Sequence, residues 1–470
     1  MITVLPQLLE FAAEVAGRPF LIVAAGGTGV ASEALGAPVL DSSLPDAVNQ
    51  ALAGLDLAGT VFVLQSRQGA DSELNSFYRY LREQGATQFV AVAGAGSSLP
   101  SLAEQEKFSR CLVAPEGSGG ALFALVAAAL LGQPLEWNPD EDPLPLGAAL
   151  GALAQKGRNK LTLLLSHQLA PLGPAFEQLI ARATGKGGKG LIPVDEPVAP
   201  LAHYGKDRAF VALWLGGKHA RTQERKLEKL LEAGHPVIGH EAKSPLGELL
   251  FWERVAAAAA QVLGVDPEAE PDLKAGKDLA KALLARLSLG KLPAEEPQLR
   301  AQGLSLFTTL AHASVLRRAA ATLGLEAAAS PTHWLAAHLA LAEEGEHLAI
   351  CGYFPKSARA RLRQAQLRVR EVTRLPTAVA LGPSCLHSTG QLLKGGPAGA
   401  LIILGTYQSA HDLPVPGMPF GFAAQTEAQV RGDEAALGAR GRRVLRVHVE
   451  GADWQRFFSA LDDAVTLITK

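Results

Sequence analysis

Four times in its first third the chain runs a short, unbroken apolar segment into a glycine-rich turn and then into a helical pattern. The segments are "FLIVAAGGTG", "TVFVLQSRQGADSE", "QFVAVAGAGSS" and "CLVAPEGSGG". Val/Ile/Leu runs without polar alternation suit strands covered on both faces, the condition of a parallel sheet flanked by helices. The rhythm therefore predicts an α/β doubly wound fold with its ligand loops at the C-terminal ends of the strands.

A Pro- and acid-rich stretch, "GQPLEWNPDEDPLPLG" at 132–147, interrupts the rhythm and reads as a linker. Beyond it "KLTLLLS", "AFVALWLGG", "HPVIGHE", "HLAICGYFP" and "ALIILGT" supply the strands of a second unit. "RRVLRVHVE" and "WQRFFSALDDAVTLI" supply a closing strand and helix, giving an expected division into 1–140, 141–440 and 441–470. At 470 residues the chain exceeds one ordinary core, so more than one unit fits its length.

Charge and cysteine usage narrow the function classes. A formal charge of −2 offers no global basic field for nucleic acid or an anionic membrane. Cys111, Cys351 and Cys385 are far apart and apolar-flanked, which fits buried thiols in a reducing compartment and not a disulfide framework or metal knuckle. The first residues carry no basic leader, so the cytoplasm is the expected location. The most apolar stretch, "ALFALVAAALLG" at 121–132, is shorter than the roughly 20 residues of a membrane span and reads as a core helix.

The turns are the places to look for chemistry. In "AAGGTGVAS", Gly26, Gly27 and Thr28 follow a strand and precede a helix, so backbone N–H groups there face an incoming anion, with Ser32 one turn on. Gly27 and Gly29 with Asp41 offer a dinucleotide reading, and hence a nicotinamide-dependent enzyme, although the spacing departs from G-x-G-x-x-G. In "SRQGADSE", Ser66 and Gly69 have the placement of a phosphate loop, but Asp71 would repel a phosphate and reads more simply as a helix N-cap. "IARATGKGGKGLIPVD" sets Arg182, Thr184 and Lys186 before a run of glycines, and His387 lies in the polar turn "CLHSTGQLLKGGP". The histidines lack metal-ligand spacing, so no metal is expected, and no cofactor either.

Taken in order, "KLTLLLSHQLAPLGPAFEQLIARATGKGGKGLIPVD", "LGVDPEAEPDLKAGKDLA", "LHSTGQLLKGGP" and "DLPVPGMPFGF" resemble the glucose-6-phosphate isomerase family. The likeness is to the isomerase half of bacterial transaldolase–isomerase fusions and covers nearly the whole chain. It implies two sugar-isomerase-type α/β domains with parallel sheets, a cleft between them and a homodimer whose histidine crosses from the partner subunit. It also implies a sugar-phosphate ligand and a place in glycolysis and gluconeogenesis. The family moves a proton between C1 and C2 through an enediol, which needs a carboxylate base and a cation for the enediolate.

Against that pattern the resemblance leaves gaps. Where the family reads E-S-x-G-K, this chain reads "RATGK", so Arg182 stands in the place of the base. The G-G-R arginine is matched by Ala121 after Gly119 and Gly120. The S-K-[ST]-x-T-T loop is matched by Ser66 to Asp71 without either threonine, and the late lysine by Thr426. His387 is the one clear catalytic match. These losses predict a family homologue with little or no isomerase activity. The alternative is an active phosphosugar isomerase whose base is relocated to Glu177, Glu116 or Asp195; Glu177, five positions before Arg182, falls on a different helix face.

Overall fold

The structure, a computed structural model, describes residues 4–67, 72–115, 120–136, 141–216, 221–287, 291–326, 330–383 and 389–469. Its first sheet contains β1 (Phe20–Ala24), β2 (Val39–Leu40), β3 (Val61–Ser66), β4 (Gln88–Ala93) and β5 (Arg110–Val113) in the order β2-β1-β3-β4-β5. Every pairing in it is parallel. This is the 2-1-3-4-5 order of doubly wound folds, whose switch point, between β1 and β3, opens a crevice at the strand ends. All six residues of β3 are buried, as the unbroken apolar run requires.

A second parallel sheet, β7-β6-β8-β9, is built from β6 (Lys160–Leu165), β7 (Ile192–Asp195), β8 (Arg208–Leu215) and β9 (Val237–Ala242). The apolar Ala121–Leu130 helix lies between the two sheets: Phe123 and Val126 share one core with Ile22 and Val63 of the first sheet and with Leu161, Phe176 and Trp252 of the second unit. That explains a helix apolar on every side. It is a core helix, as its length indicates.

The third sheet, β10-β11-β15-β14-β12-β13, contains β10 (Leu299–Ala301), β11 (Leu304–Phe307), β12 (His347–Gly352), β13 (Thr377–Leu381), β14 (Ala400–Tyr407) and β15 (Arg443–Val449). Its β13, β12, β14 and β15 run parallel, whereas β10 and β11 form an antiparallel hairpin whose second strand also pairs antiparallel with β15. The closing Gln455–Thr469 helix buries Phe457, Phe458, Leu461 and Val465 against this sheet. A late segment also packs on the first sheet: Phe422 stacks on Phe77 at 5.4 Å in the core on that sheet's other face.

The stretch read as a linker closes in a helix. Asp142 Oδ1 accepts the Leu144 N–H at 2.9 Å and starts the Leu144–Gln155 helix, whose glycines let it approach the Pro245–Leu263 helix closely. Among the described residues no helix is long and apolar enough to cross a membrane.

Candidate functional site

The turn after β1 places Gly26 and Gly27 at φ of +67° and +80°, a conformation glycine adopts without penalty. Thr28 is buried, and its hydroxyl donates toward the carbonyls of Ala25 at 3.0 Å and Gln65 at 3.2 Å. Ser32 Oγ likewise sits 3.4 Å from both Gln65 Oε1 and the Phe123 carbonyl. These hydroxyls tie β1 to β3 across the switch point and do not point outward. Asp41, the acid of the dinucleotide reading, lies 3.5 Å from Lys356 Nζ.

Around that turn the fold gathers a set of charges. Arg67 follows buried Ser66 at the end of β3; Arg182 lies in the last turn of the Gly173–Thr184 helix and is 4% exposed. Glu253 reaches in from the Pro245–Leu263 helix, and Glu268 and Glu270 from the segment after it. Arg182 Nη2 is 3.9 Å from Glu253 Oε1, and its Nη1 is 3.6 Å from Glu268 Oε2 and 3.9 Å from Glu270 Oε1. Glu253 Oε1 also accepts the Gly120 N–H. Gly27, Thr28, Arg67, Gly120, Ala121 and Glu253 enclose a cavity of about 30 Å³. Three of the turns singled out from sequence thus converge, but the space between their described atoms is a tenth or less of an ordinary ligand pocket, roughly 300–1,000 Å³.

Electrostatics inside this cluster follow from burial. Desolvation, with the neighbouring Arg182 charge second, lowers the Arg67 guanidinium to about 10. Desolvation raises the Glu253 carboxyl, with Arg182 opposing it. Lys186 is buried, donates to the Asp266 carbonyl and is lowered to about 8, again by desolvation first and Arg182 second. Thr184 Oγ1 donates to the Ile180 carbonyl at 2.7 Å and accepts the Leu191 N–H at 3.0 Å, so its hydroxyl shapes the glycine turn.

The remaining candidates lie elsewhere. Gly69, Asp71, Glu116, Gly119 and His387 are outside the described residues. Thr426 is buried with its Oγ1 2.9 Å from Ser43 Oγ and lines a separate cavity beneath Arg446 and His448. Glu177 faces away from Arg182, as its helical position indicates, into a cavity of about 690 Å³ where Asp195 also lies. Its Oε1 accepts the Asp195 N–H at 2.6 Å, and burial, reinforced by the Asp195 charge, raises it to about 8. Asp195 itself is 2.9 Å from Arg363 Nη2. Among the described residues no three His, Cys, Asp or Glu side chains are grouped to hold a metal ion.

Glu253, Glu268 and Glu270 were not among the residues that sequence singled out. Two signals were present: Glu253 interrupts a run of large apolar residues in "ELLFWERVAAAAA", and Asp266, Glu268, Glu270 and Asp272 alternate in "VDPEAEPD". Alternation sends Glu268 and Glu270 to one side of an extended chain.

The fold and this crevice define an α/β protein of mainly parallel, helix-flanked sheets whose strand-end turns meet at a charged centre around the buried Arg182. No family model matches the chain. It is similar to a probable glucose-6-phosphate isomerase of Haloarcula marismortui, 26% identical over 269 residues, which are 50% of this chain and 60% of that protein. The chain thus spans about three fifths of its curated relative. A hypothetical protein of Thermus thermophilus superposes with a TM-score of 0.49 at 17% identity, over 60% of this chain and 87% of that one. A glucose-6-phosphate isomerase of Chlamydia trachomatis does so with a TM-score of 0.44 at 15% identity, over 60% and 73% respectively.

Proposed function

We propose that the chain is a glucose-6-phosphate isomerase-like protein of two sugar-isomerase-type domains, divided near residue 140, with little or no isomerase activity. Its ligand is a sugar phosphate or another small anion, or it acts as a non-catalytic partner of a sugar-phosphate enzyme; the family's homodimer and a cytoplasmic location belong to the same reading. One observation carries it. Arg182, which the resemblance sets in the place of the proton-transferring glutamate, is buried facing three glutamates. A guanidinium stays protonated at physiological pH and cannot take a proton from C2. Ala121 supplies no cation for an enediolate, and the hydroxyls of Thr28 and Thr184 are spent on backbone groups.

A coupled assay for interconversion of glucose 6-phosphate and fructose 6-phosphate tests the reading. Turnover at least a thousandfold below the ordinary enzyme median of about 10 s⁻¹ is expected. Turnover within a hundredfold of that median, lost on His387→Ala, would sink it. The second reading, an active isomerase with Glu177 as relocated base, is favoured by one observation: Glu177 and Asp195 line the same large cavity. In that case Glu177→Ala abolishes the turnover.

A further inference from the structure

The cavity of about 690 Å³ lies where the three sheets meet. Glu33 and Asp41 enter it from the first, Glu177 and Asp195 from the second, Lys356, Arg359 and Arg363 from the third. It shares only Gln178 with the lining of the small cavity beside Arg67 and Glu253. Its volume falls within the range of small-molecule sites. We infer that this junction is a binding site for an unphosphorylated sugar or sugar alcohol, separate from the Arg182 cluster.

The charges argue for the ligand class. Lys356 Nζ is 2.7 Å from Glu33 Oε1 and 3.5 Å from Asp41 Oδ1. Arg359 Nη2 is 2.7 Å from Glu33 Oε2, and Arg363 Nη2 is 2.9 Å from Asp195 Oδ2. Every cation in the described lining is therefore held by a carboxylate. A phosphate would have to displace one of those partners and would leave that carboxylate beside it without a counter-charge. A hydroxyl meets no such conflict, because it donates to a carboxylate and accepts from the adjacent guanidinium or ammonium at once. Such mixed pairs stand on all three walls, at Glu33 with Arg359, Asp41 with Lys356 and Asp195 with Arg363.

The apolar part of the lining points the same way. It is aliphatic, with Val30, Pro171, Pro174, Leu362 and Val379 among its members, and suits the C–H face of a sugar ring. Phe354 is the one aromatic residue in the described lining; it is 2% exposed and its ring packs against Phe457 and Phe458 at 5.1 and 5.4 Å. It offers no free face on which a nucleobase could stack.

The test is isothermal titration of the full chain at pH 7 with D-glucose, D-fructose, D-glucitol and glucose 6-phosphate. At least one of the three unphosphorylated probes is expected to bind with a Kd of about 1–10 mM. That binding should be lost in Ala360→Trp and in Ala170→Trp, which fill the mouth from exposed positions on opposite walls, at least one of them with an unchanged melting temperature. Three results would overturn the site: no binding of any unphosphorylated probe up to about 50 mM; binding that survives in a folded tryptophan variant; or glucose 6-phosphate binding more tightly than glucose and being displaced by the same variant.

Discussion

Arg182 and Glu253 face each other at 3.9 Å, and the same glutamate oxygen holds the Gly120 N–H at the start of the Ala121–Leu130 helix. Arg182, which the resemblance sets in the place of a base, is thus part of a charged centre between the first two sheets. Replacing it by the family's own residue adds a fourth carboxyl to Glu253, Glu268 and Glu270. Arg182→Glu is expected to destabilise the fold by about 3 kcal/mol at pH 7.5, because Glu253 and Glu270, which are largely shielded from solvent, lose their counter-charge. Crowded carboxylates are protonated more easily, so the loss should shrink toward pH 5. Chemical denaturation of variant and parent at the two pH values reads this directly.

Glu177 provides an independent check on the second cavity. Its folded value of about 8 lies above the ordinary 4.5, so the native state keeps a proton that the unfolded chain gives up. Stability therefore falls as pH rises from about 4.5 through 8. Glu177→Gln keeps an acceptor for the Asp195 N–H and removes the titration. Its melting temperature is expected to exceed the parent's increasingly between pH 5 and pH 8, and to match it near pH 4.

On the acid side the sign reverses. His347 is buried at the start of β12 and held neutral, with its value lowered to about 3 by desolvation first and Lys160 second. The unfolded chain takes up a proton below about 6.5 that the native state refuses, so stability is full above that pH and is lost as pH falls. One such group costs up to about 1.4 kcal/mol per pH unit. His347→Gln is expected to flatten the decline in denaturation midpoint between pH 6.5 and pH 4.

Gly94 tests the position of the Arg67 turn. A Cβ at residue 94 would stand 2.2 Å from the Arg67 carbonyl oxygen, which is backbone and cannot swing aside. Gly94→Ala is expected to cost about 1–3 kcal/mol. A neutral effect, measured by the denaturation midpoint, would mean the turn after β3 runs elsewhere.

Much of this architecture was legible in the chain. Val61–Ser66 and Ala400–Tyr407 read as doubly covered strands because nothing polar alternates along them, and both are buried throughout. The Leu299–Phe307 hairpin was not legible. Its strands are three and four residues long, and their pairing depends on β15, which arrives more than a hundred residues later. How the strands after residue 141 divide between two sheets is likewise a matter of tertiary contact. In the site, Arg182 of "RATGK" stood out because it departs from a familiar pattern. Its partners did not: Glu253 in a helix and Glu270 in an acidic loop look like solvated surface until the fold turns them inward.

The central claim, that proton transfer is lost with the base, is tested most directly by isotope exchange, which detects abstraction even when no product accumulates. Glucose 6-phosphate incubated with the full chain in D₂O is followed by the proton signal at C2. Exchange below about 10⁻³ s⁻¹ per protein is expected, against an ordinary turnover of about 10 s⁻¹. Exchange that rises in proportion to protein concentration and approaches that ordinary rate would contradict it.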